Sequence, residues 1–319
     1  MDCTRNFIMR HRWLLSALAF FLSITLVACN TANTQQLPTK VANTTEITNA
    51  NSQQLPKQSI KRVVALSSLS ADIIAQLDKT KIVGITGSKL FNDDPRFKNV
   101  PRVSEGQNSP NLEKVVALKP DLVIGAEGFS TIPIQKIKQL GIPTLLTQVN
   151  NWESLEELTK TLAQLIDADP QPLLNRYKSF LSVQPTQGIK ALVLVSRQPI
   201  LAPNKNSWAG DVLTKFQVKN LAAELQGKSP VGGYVTLSAE KVLEANPEVI
   251  ILVNPPQGNS EAGLLDSLKK EAFWKQLQAT QKNRIYVFDY YGLVNPGSID
   301  AIEKACQQLK QDLFGSEGS

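Results

Sequence analysis

The stretch NLEKVVALKPDLVIG at 111–125 returns at 238–252 as SAEKVLEANPEVIIL. Aligned without a gap, Glu113 falls on Glu240, Lys114 on Lys241, Val115 on Val242, Pro120 on Pro247, Asp121 on Glu248 and Val123 on Ile250. Each copy reads as a helix that runs, through a proline, into an apolar strand. A chain carrying this unit twice is constrained toward two similarly built halves. Asn111 and Ser238 are candidate N-caps, which puts Glu113 and Glu240 at the second helical position of equivalent helices. A carboxylate there sits beside the positive end of the helix dipole and complements it.

The residues around the two copies extend the pattern. Short apolar runs at 62–67, 82–86, 121–125 and 143–147 read as buried parallel strands, with helical spacing at 70–77, around 111–120 and at 131–141. An amphipathic helix at 152–166 closes this first lobe, and 170–183 forms another helix with Pro170 near its start. Alternation then restarts, with strands at 190–196, 248–254 and 285–289 and helices at 209–216, 238–246, 268–277 and 298–314. Strand–helix alternation of this kind argues for open α/β sheets. The boundaries that follow are a first lobe over 60–168, a connecting helix over 169–185 and a second lobe over 186–319.

The N-terminal region concerns location. Arg10 and Arg12 precede a charge-free, mostly apolar run from Trp13 to Ala28, and the run closes on Cys29. A charged region followed by a short apolar one reads as an export signal, too short for a comfortable membrane span. The ending LVAC resembles the lipobox of bacterial lipoproteins, which implies removal of residues 1–28 and acylation of Cys29. Residues 30–59 are rich in Asn, Thr and Gln with no sustained period, a composition that cannot offset ordering entropy. They read as a disordered tether with a mean reach of roughly 30 Å.

Composition excludes several function classes. The chain has 319 residues, 42% hydrophobic and 19% charged, with a net charge of +6. Its basic residues are scattered, without the stripe that nucleic-acid binders show, so no nucleic-acid partner is expected. The only His is His11 and the only Met residues are Met1 and Met9, all within the signal. The processed chain would keep just Cys29 and Cys306, and an acylated Cys29 leaves no disulfide. Triads and zinc sites that require histidine are then impossible, and no Walker A or dinucleotide fingerprint is present. No enzyme activity and no cofactor are expected.

The ordered motifs RVVALS, SADIIAQL, IVGIT, NLEKVVALKPDLVIG, LGIPTLLT, GDVLTKF, SAEKVLEANPEVIILV and FWKQLQATQKNRIYVFD resemble the periplasmic-binding proteins for iron–siderophore complexes and cobalamin. The resemblance covers about residues 60–314. It implies an α/β fold of two Rossmann-like lobes joined by a single rigid helix, with the ligand in the cleft between them and only small rocking motions. It also implies a monomer that delivers its ligand to an ABC permease dimer driven by an ATPase. In that family, glutamates at the positions of Glu113 and Glu240 pair with arginines on the two permease subunits.

Ligands of open α/β sheets bind outside the carboxyl ends of the strands. That rule nominates Ser67, Ser68, Ala126, Glu127 and Phe129 in the first lobe, and Ser196 and Arg197 in the second. The family motif adds Gln107 and Tyr234, each six residues before a docking glutamate. Trp208, on a segment (NKNSWAGD) expected to be a mobile lip, and Tyr290 and Tyr291 complete an aromatic wall suited to a bulky ligand. Several family members carry arginine where Gln107 stands, so Arg197 is expected to supply the positive charge. Arg102 and Lys205 read as solvated surface charges. Without imidazole or thioether ligands, the processed chain is unsuited to a bare transition metal, and no direct metal ligand is expected. A pre-chelated metal needs none. The expected cargo is a ferric siderophore, with cobalamin second and haem third.

Overall fold

A computed structural model describes residues 59–105, 108–182, 188–225, 229, 232–256 and 260–315. The signal, Cys29, the tether and Gln107 lie outside the described residues. The first half runs β1 (Val63–Ala65), α1 (Ser68–Asp78), β2 (Ile82–Ile85), α2 (Leu112–Ala117), β3 (Leu122–Ala126), α3 (Thr131–Gln139) and β4 (Thr144–Thr147). Its strands form one parallel sheet in the order β2-β1-β3-β4. Two helices follow, α4 (Trp152–Ile166) and α5 (Gln171–Phe180).

The second half begins with β5 (Lys190–Leu194), β6 (Ser196–Arg197), β7 (Ile200–Pro203), α6 (Trp208–Lys215), β8 (Lys219–Asn220) and β9 (Tyr234–Leu237). It continues with α7 (Ala239–Ala245), β10 (Val249–Asn254), α8 (Glu261–Lys270), α9 (Ala272–Lys275), α10 (Gln278–Gln281) and β11 (Ile285–Asp289). A kinked turn, α11 (Tyr290–Leu293), and the long α12 (Ile299–Phe314) complete it. Its parallel sheet has the order β11-β10-β5-β8, beside a small antiparallel sheet β6-β7-β9.

Period-two alternation in the central strands divides the core. Val63, Ala65, Leu122 and Ile124 of the first sheet share one cluster with Ala191, Val193, Val249 and Ile251 of the second. Ile73, Leu155, Leu162, Tyr177, Trp208, Ile302 and Leu309, from α1, α4, α5, α6 and α12, complete that cluster. The opposite faces are separate: Val64 and Val123 pack with Ile134 and Ile137 of α3, while Leu192, Leu194, Ile250 and Leu252 pack with Leu268 and Trp274. The sheets are thus covered on both faces, as buried parallel sheets require. The two halves also share one core, so the described residues form one compact unit.

The connection between the sheets differs from the expected single helix. It consists of α4 and α5, separated by a break in which Asp167 takes a left-handed φ of 59°. The amphipathic helix assigned to the first lobe is shared by both: α4 packs against α1 of the first half and α6 of the second. The Trp152 N–H donates to the Asp211 carboxylate at 2.8 Å, and the Trp152 and Trp208 rings stack at 5.7 Å.

The repeated unit folds alike in its two places. The Asn111 side chain accepts from Lys114 N at 2.9 Å and that of Ser238 accepts from Lys241 N at 3.3 Å, so both act as N-caps. Lys119 and Asn246 end the helices with positive φ, 46° and 39°. The acid after each proline then ties the new strand to its neighbour. Asp121 accepts from Lys61 N and Arg62 N at 2.9 Å each, and Glu248 accepts from Lys190 N at 3.2 Å.

Candidate functional site

A helix that leads into a parallel strand has its N-terminus at the carboxyl edge of the sheet. Glu113 and Glu240 therefore occupy the carboxyl edges of their respective sheets, both exposed in first helical turns. The Glu240 carboxyl is held below its usual range, first by its own backbone N–H and then by the Ser238 hydroxyl.

A cavity of about 490 Å³ opens where segments from both edges meet. The first half supplies Leu90, Phe91, Asp94 and Arg96 from the segment after β2, and Asp72 from α1. The second supplies Asn254 to Pro256 from the end of β10, Asp289 to Tyr291 from the end of β11, and Ser298, Asp300, Ala301 and Lys304 at the start of α12. The segment after β2 is fixed rather than loose. Arg102 donates to the carbonyls of Ser88 at 3.2 Å and Phe91 at 2.9 Å, and the Phe91 and Phe97 rings pack at 4.2 Å. Arg102 is thus a clamp beneath the rim, not the solvated charge that the sequence pointed to.

On the floor, Asp72 is fully buried, 2.8 Å from the Arg96 guanidinium, and accepts from Ile299 N at 2.7 Å. That bond joins α1 of the first half to α12 of the second. Burial raises the pKa of Asp72, and the Ile299 N–H and the Arg96 charge offset only part of this. Burial also opposes the charge on Arg96, but hydrogen bonds to Asp94 and the charge of Asp72 outweigh it and raise its pKa. Arg176 of α5 extends the network, pairing with Asp300 at 2.6 Å and with Glu303.

The tyrosine wall stands on an unusual turn. Gly292 has φ 100°, and a Cβ there would come within 2.1 Å of the Ala301 carbonyl oxygen, so only glycine fits. The turn places Tyr290 and Tyr291 edge to face, 5.4 Å apart. Burial pushes the Tyr234 hydroxyl up to about 12, with Tyr290 adding to the effect. Burial, then Tyr290, also raises Tyr291, while Ser88 from the first half works against the shift.

The structure sorts the nominated residues. Tyr290 and Tyr291 line the cavity, and Tyr234 lies close to Tyr290. Ser67, Ser68, Glu127, Phe129, Ser196 and Arg197 stand at strand ends as the edge rule requires, but none of them lines this cavity. Ser67 is buried and caps α1 through Ser70 N at 3.3 Å. Phe129 is 80% exposed on the turn after β3.

Two assignments are corrected. Trp208 is only 3% exposed, stacked on Trp152 and donating to the Gly292 carbonyl at 2.7 Å, so it supports the turn from behind. The expected lip around it is a hydrogen-bonded turn in which Ser207 donates to the Asn204 carbonyl at 2.7 Å and caps α6. Arg197 does not line the cavity; its guanidinium lies 4.0 Å from the Glu271 carboxylate, and its buried Nη1 has no hydrogen-bond partner. The charged residues that do line the cavity, Asp72, Asp94, Arg96, Asp289, Asp300 and Lys304, went unnominated. They come from helices, an irregular segment and the end of β11, with no motif in common. Among the described residues, no group of three or more His, Cys, Asp or Glu could hold a bare metal ion. Cys306 is buried, and burial pushes its thiol up to about 12.

Residues 63–291 match the family described as periplasmic binding protein. An uncharacterised ABC transporter substrate-binding lipoprotein of Bacillus subtilis, YvrC, is 26% identical over 278 residues, covering 81% of this chain and 82% of its own length. The vitamin B12-binding protein of Salmonella typhimurium is 27% identical over 262 residues, 78% of this chain and 90% of that protein. The crystal structure of an ABC transporter substrate-binding protein from Listeria monocytogenes shares the fold with a TM-score of 0.69, at 20% identity, over 81% of this chain and 100% of that one. The matched span takes in both parallel sheets and the cavity lining up to Tyr291, and the protein belongs to the periplasmic binding proteins, a family that binds its cargo rather than transforming it.

Proposed function

We propose that this chain is the substrate-binding lipoprotein of an ABC importer, tethered through Cys29, which captures a pre-chelated metal and presents it to a permease dimer. The observation that carries the reading is the cavity built from the carboxyl edges of both sheets, with one exposed first-turn glutamate on each edge. A carrier facing a two-fold permease needs one contact per half, and charge-assisted Arg–carboxylate bonds at Glu113 and Glu240 would orient it. The names of the Bacillus subtilis and Salmonella typhimurium relatives support the importer role.

A ferric siderophore is the cargo we favour. Lacking His and Met once the signal is removed, the chain offers little to an open metal but needs nothing for a closed chelate. Cobalamin is the second reading, favoured by the likeness to the vitamin B12-binding protein. The test is a melting-temperature panel of ferric siderophores, cobalamin and haem. A true ligand at a hundred times its Kd adds about 2.7 kcal/mol of stability. A shift with cobalamin alone sinks the siderophore reading, and no shift with any of them sinks the role itself.

A further inference from the structure

We infer that the cavity selects cargo with a net positive charge, or with a cationic arm, over anionic chelates of the same metal. The inference rests on the reading of the chain as a chelate carrier and deepens it. Four carboxylates, Asp72, Asp94, Asp289 and Asp300, line the cavity against two cations, Arg96 and Lys304. Both cations are already engaged. Arg96 lies 2.8 Å from Asp72 and is hydrogen-bonded to Asp94, and Lys304 lies 2.7 Å from Asp289. Arg176, behind the wall, is held by Asp300 and Glu303. Arg197, whose buried Nη1 lies 4.0 Å from Glu271 without a hydrogen bond, is not part of the lining. An anionic cargo would have to break one of these pairs to find a positive charge.

Two further features point the same way. The Oδ1 of Asn254, on the cavity wall, is buried and accepts no hydrogen bond, so the lining holds an acceptor that lacks a donor. With less than 1 Å² of accessible surface, it meets a cargo N–H or ammonium donor only once the amide turns into the cavity. Tyr290 and Tyr291 bring aromatic rings to the same wall, and ring faces attract cations. Asp289 and Asp300 have side chains 60% and 59% exposed, so an entering charge can reach them beside their existing partners. Carboxylates, an acceptor amide and aromatic rings together make a receptor for a cation.

The test compares ferric chelates that differ mainly in charge, titrated calorimetrically into the full-length protein in detergent. The probes are ferrioxamine B (cationic), ferrichrome (neutral) and ferric enterobactin (trianionic). The expected order of affinity is cationic, neutral, trianionic, with the spread narrowing as salt screens the field. Asp289→Asn and Lys304→Gln break the same exposed ion pair from opposite ends, so a purely structural effect would move both variants in the same direction. Asp289→Asn should instead weaken ferrioxamine B, and Lys304→Gln tighten it, by about two- to fivefold each. Affinity for ferric enterobactin equal to or above that for ferrioxamine B, or the two variants shifting ferrioxamine B alike, overturns the inference while leaving the carrier role intact. Binding of none of the three overturns the chelate reading and the inference with it.

Discussion

The two copies of the repeated unit, α2–β3 and α7–β10, are alike where they start and unlike where they end. Both begin on a capped helix with an exposed glutamate in its first turn, and both pin the new strand through an acid to its neighbour. At their far ends they part. β3 runs out into an exposed turn bearing Glu127 and Phe129, whereas β10 delivers Asn254 to the wall of the cavity. The unit itself is therefore scaffold, with the proposed docking glutamate at its start; the cavity takes its lining from segments before the unit in the first half and from the end of the unit onward in the second. The lesson extends to the core: the outer faces of the two sheets are separate, but their inner faces merge behind Trp152 and Trp208.

Breaking the merged region should have the largest effect. Trp208→Ala removes a buried ring, its stacking on Trp152 and its bond to the Gly292 carbonyl, and should cost about 3–5 kcal/mol in denaturant unfolding. A loss below about 1 kcal/mol would show that the halves do not depend on each other there. Next come the matched valines. Val115 and Val242 are both 0% exposed, and alanine at either should cost about 2 kcal/mol, nearly equal in the two halves. Markedly unequal values would mean that the units are only superficially alike.

The strand-pinning acids should separate the copies. Asp121 holds two backbone N–H groups at 2.9 Å and Glu248 one at 3.2 Å. Asp121→Ala should therefore cost about 1–2 kcal/mol and Glu248→Ala less than about 1, read from the same unfolding curves. The Glu113→Ala/Glu240→Ala double variant should leave stability and cargo affinity almost unchanged and abolish uptake in cells. Full uptake would reduce both glutamates to dipole partners. The smallest effect is one of pH. Because the Glu240 pKa is lowered in the folded state, its stabilisation is present above its usual 4.5 and is lost as pH falls through the folded value. A carboxyl titration followed by NMR should find Glu240 below 4.5 and returning toward it in Ser238→Ala.

How much of this the sequence carried depends on whether the signal was local. The longer parallel strands of both sheets, most of their helices and the two N-caps were legible because apolar period and capping chemistry lie within a few residues of each other; the single helix expected over 268–277 is instead broken at Glu271 between α8 and α9. The short β6, β7, β8 and β9 were not, since two to four residues of mixed polarity carry no period. The sharing of α4 between the halves was also hidden, because an amphipathic pattern states that a face is buried and not against what. Tyr290 and Tyr291 were found by the strand-end rule. Asp72 and Asp300 were not, because 228 positions separate two residues that only the packing of α1 on α12 brings to one cavity. Trp208 misled for the converse reason: its neighbours read as a loop, while its ring fills the core.

The central claim is that cargo sits against the tyrosine wall between the two sheet edges. Its most direct test is calorimetric titration of the full-length protein and the Tyr290→Ala/Tyr291→Ala variant with ferrioxamine B and with cobalamin. The account predicts micromolar or tighter binding of at least one of them, weakened about tenfold or more in the variant. Binding that the double substitution leaves untouched, or a parent protein that takes up neither, would contradict it.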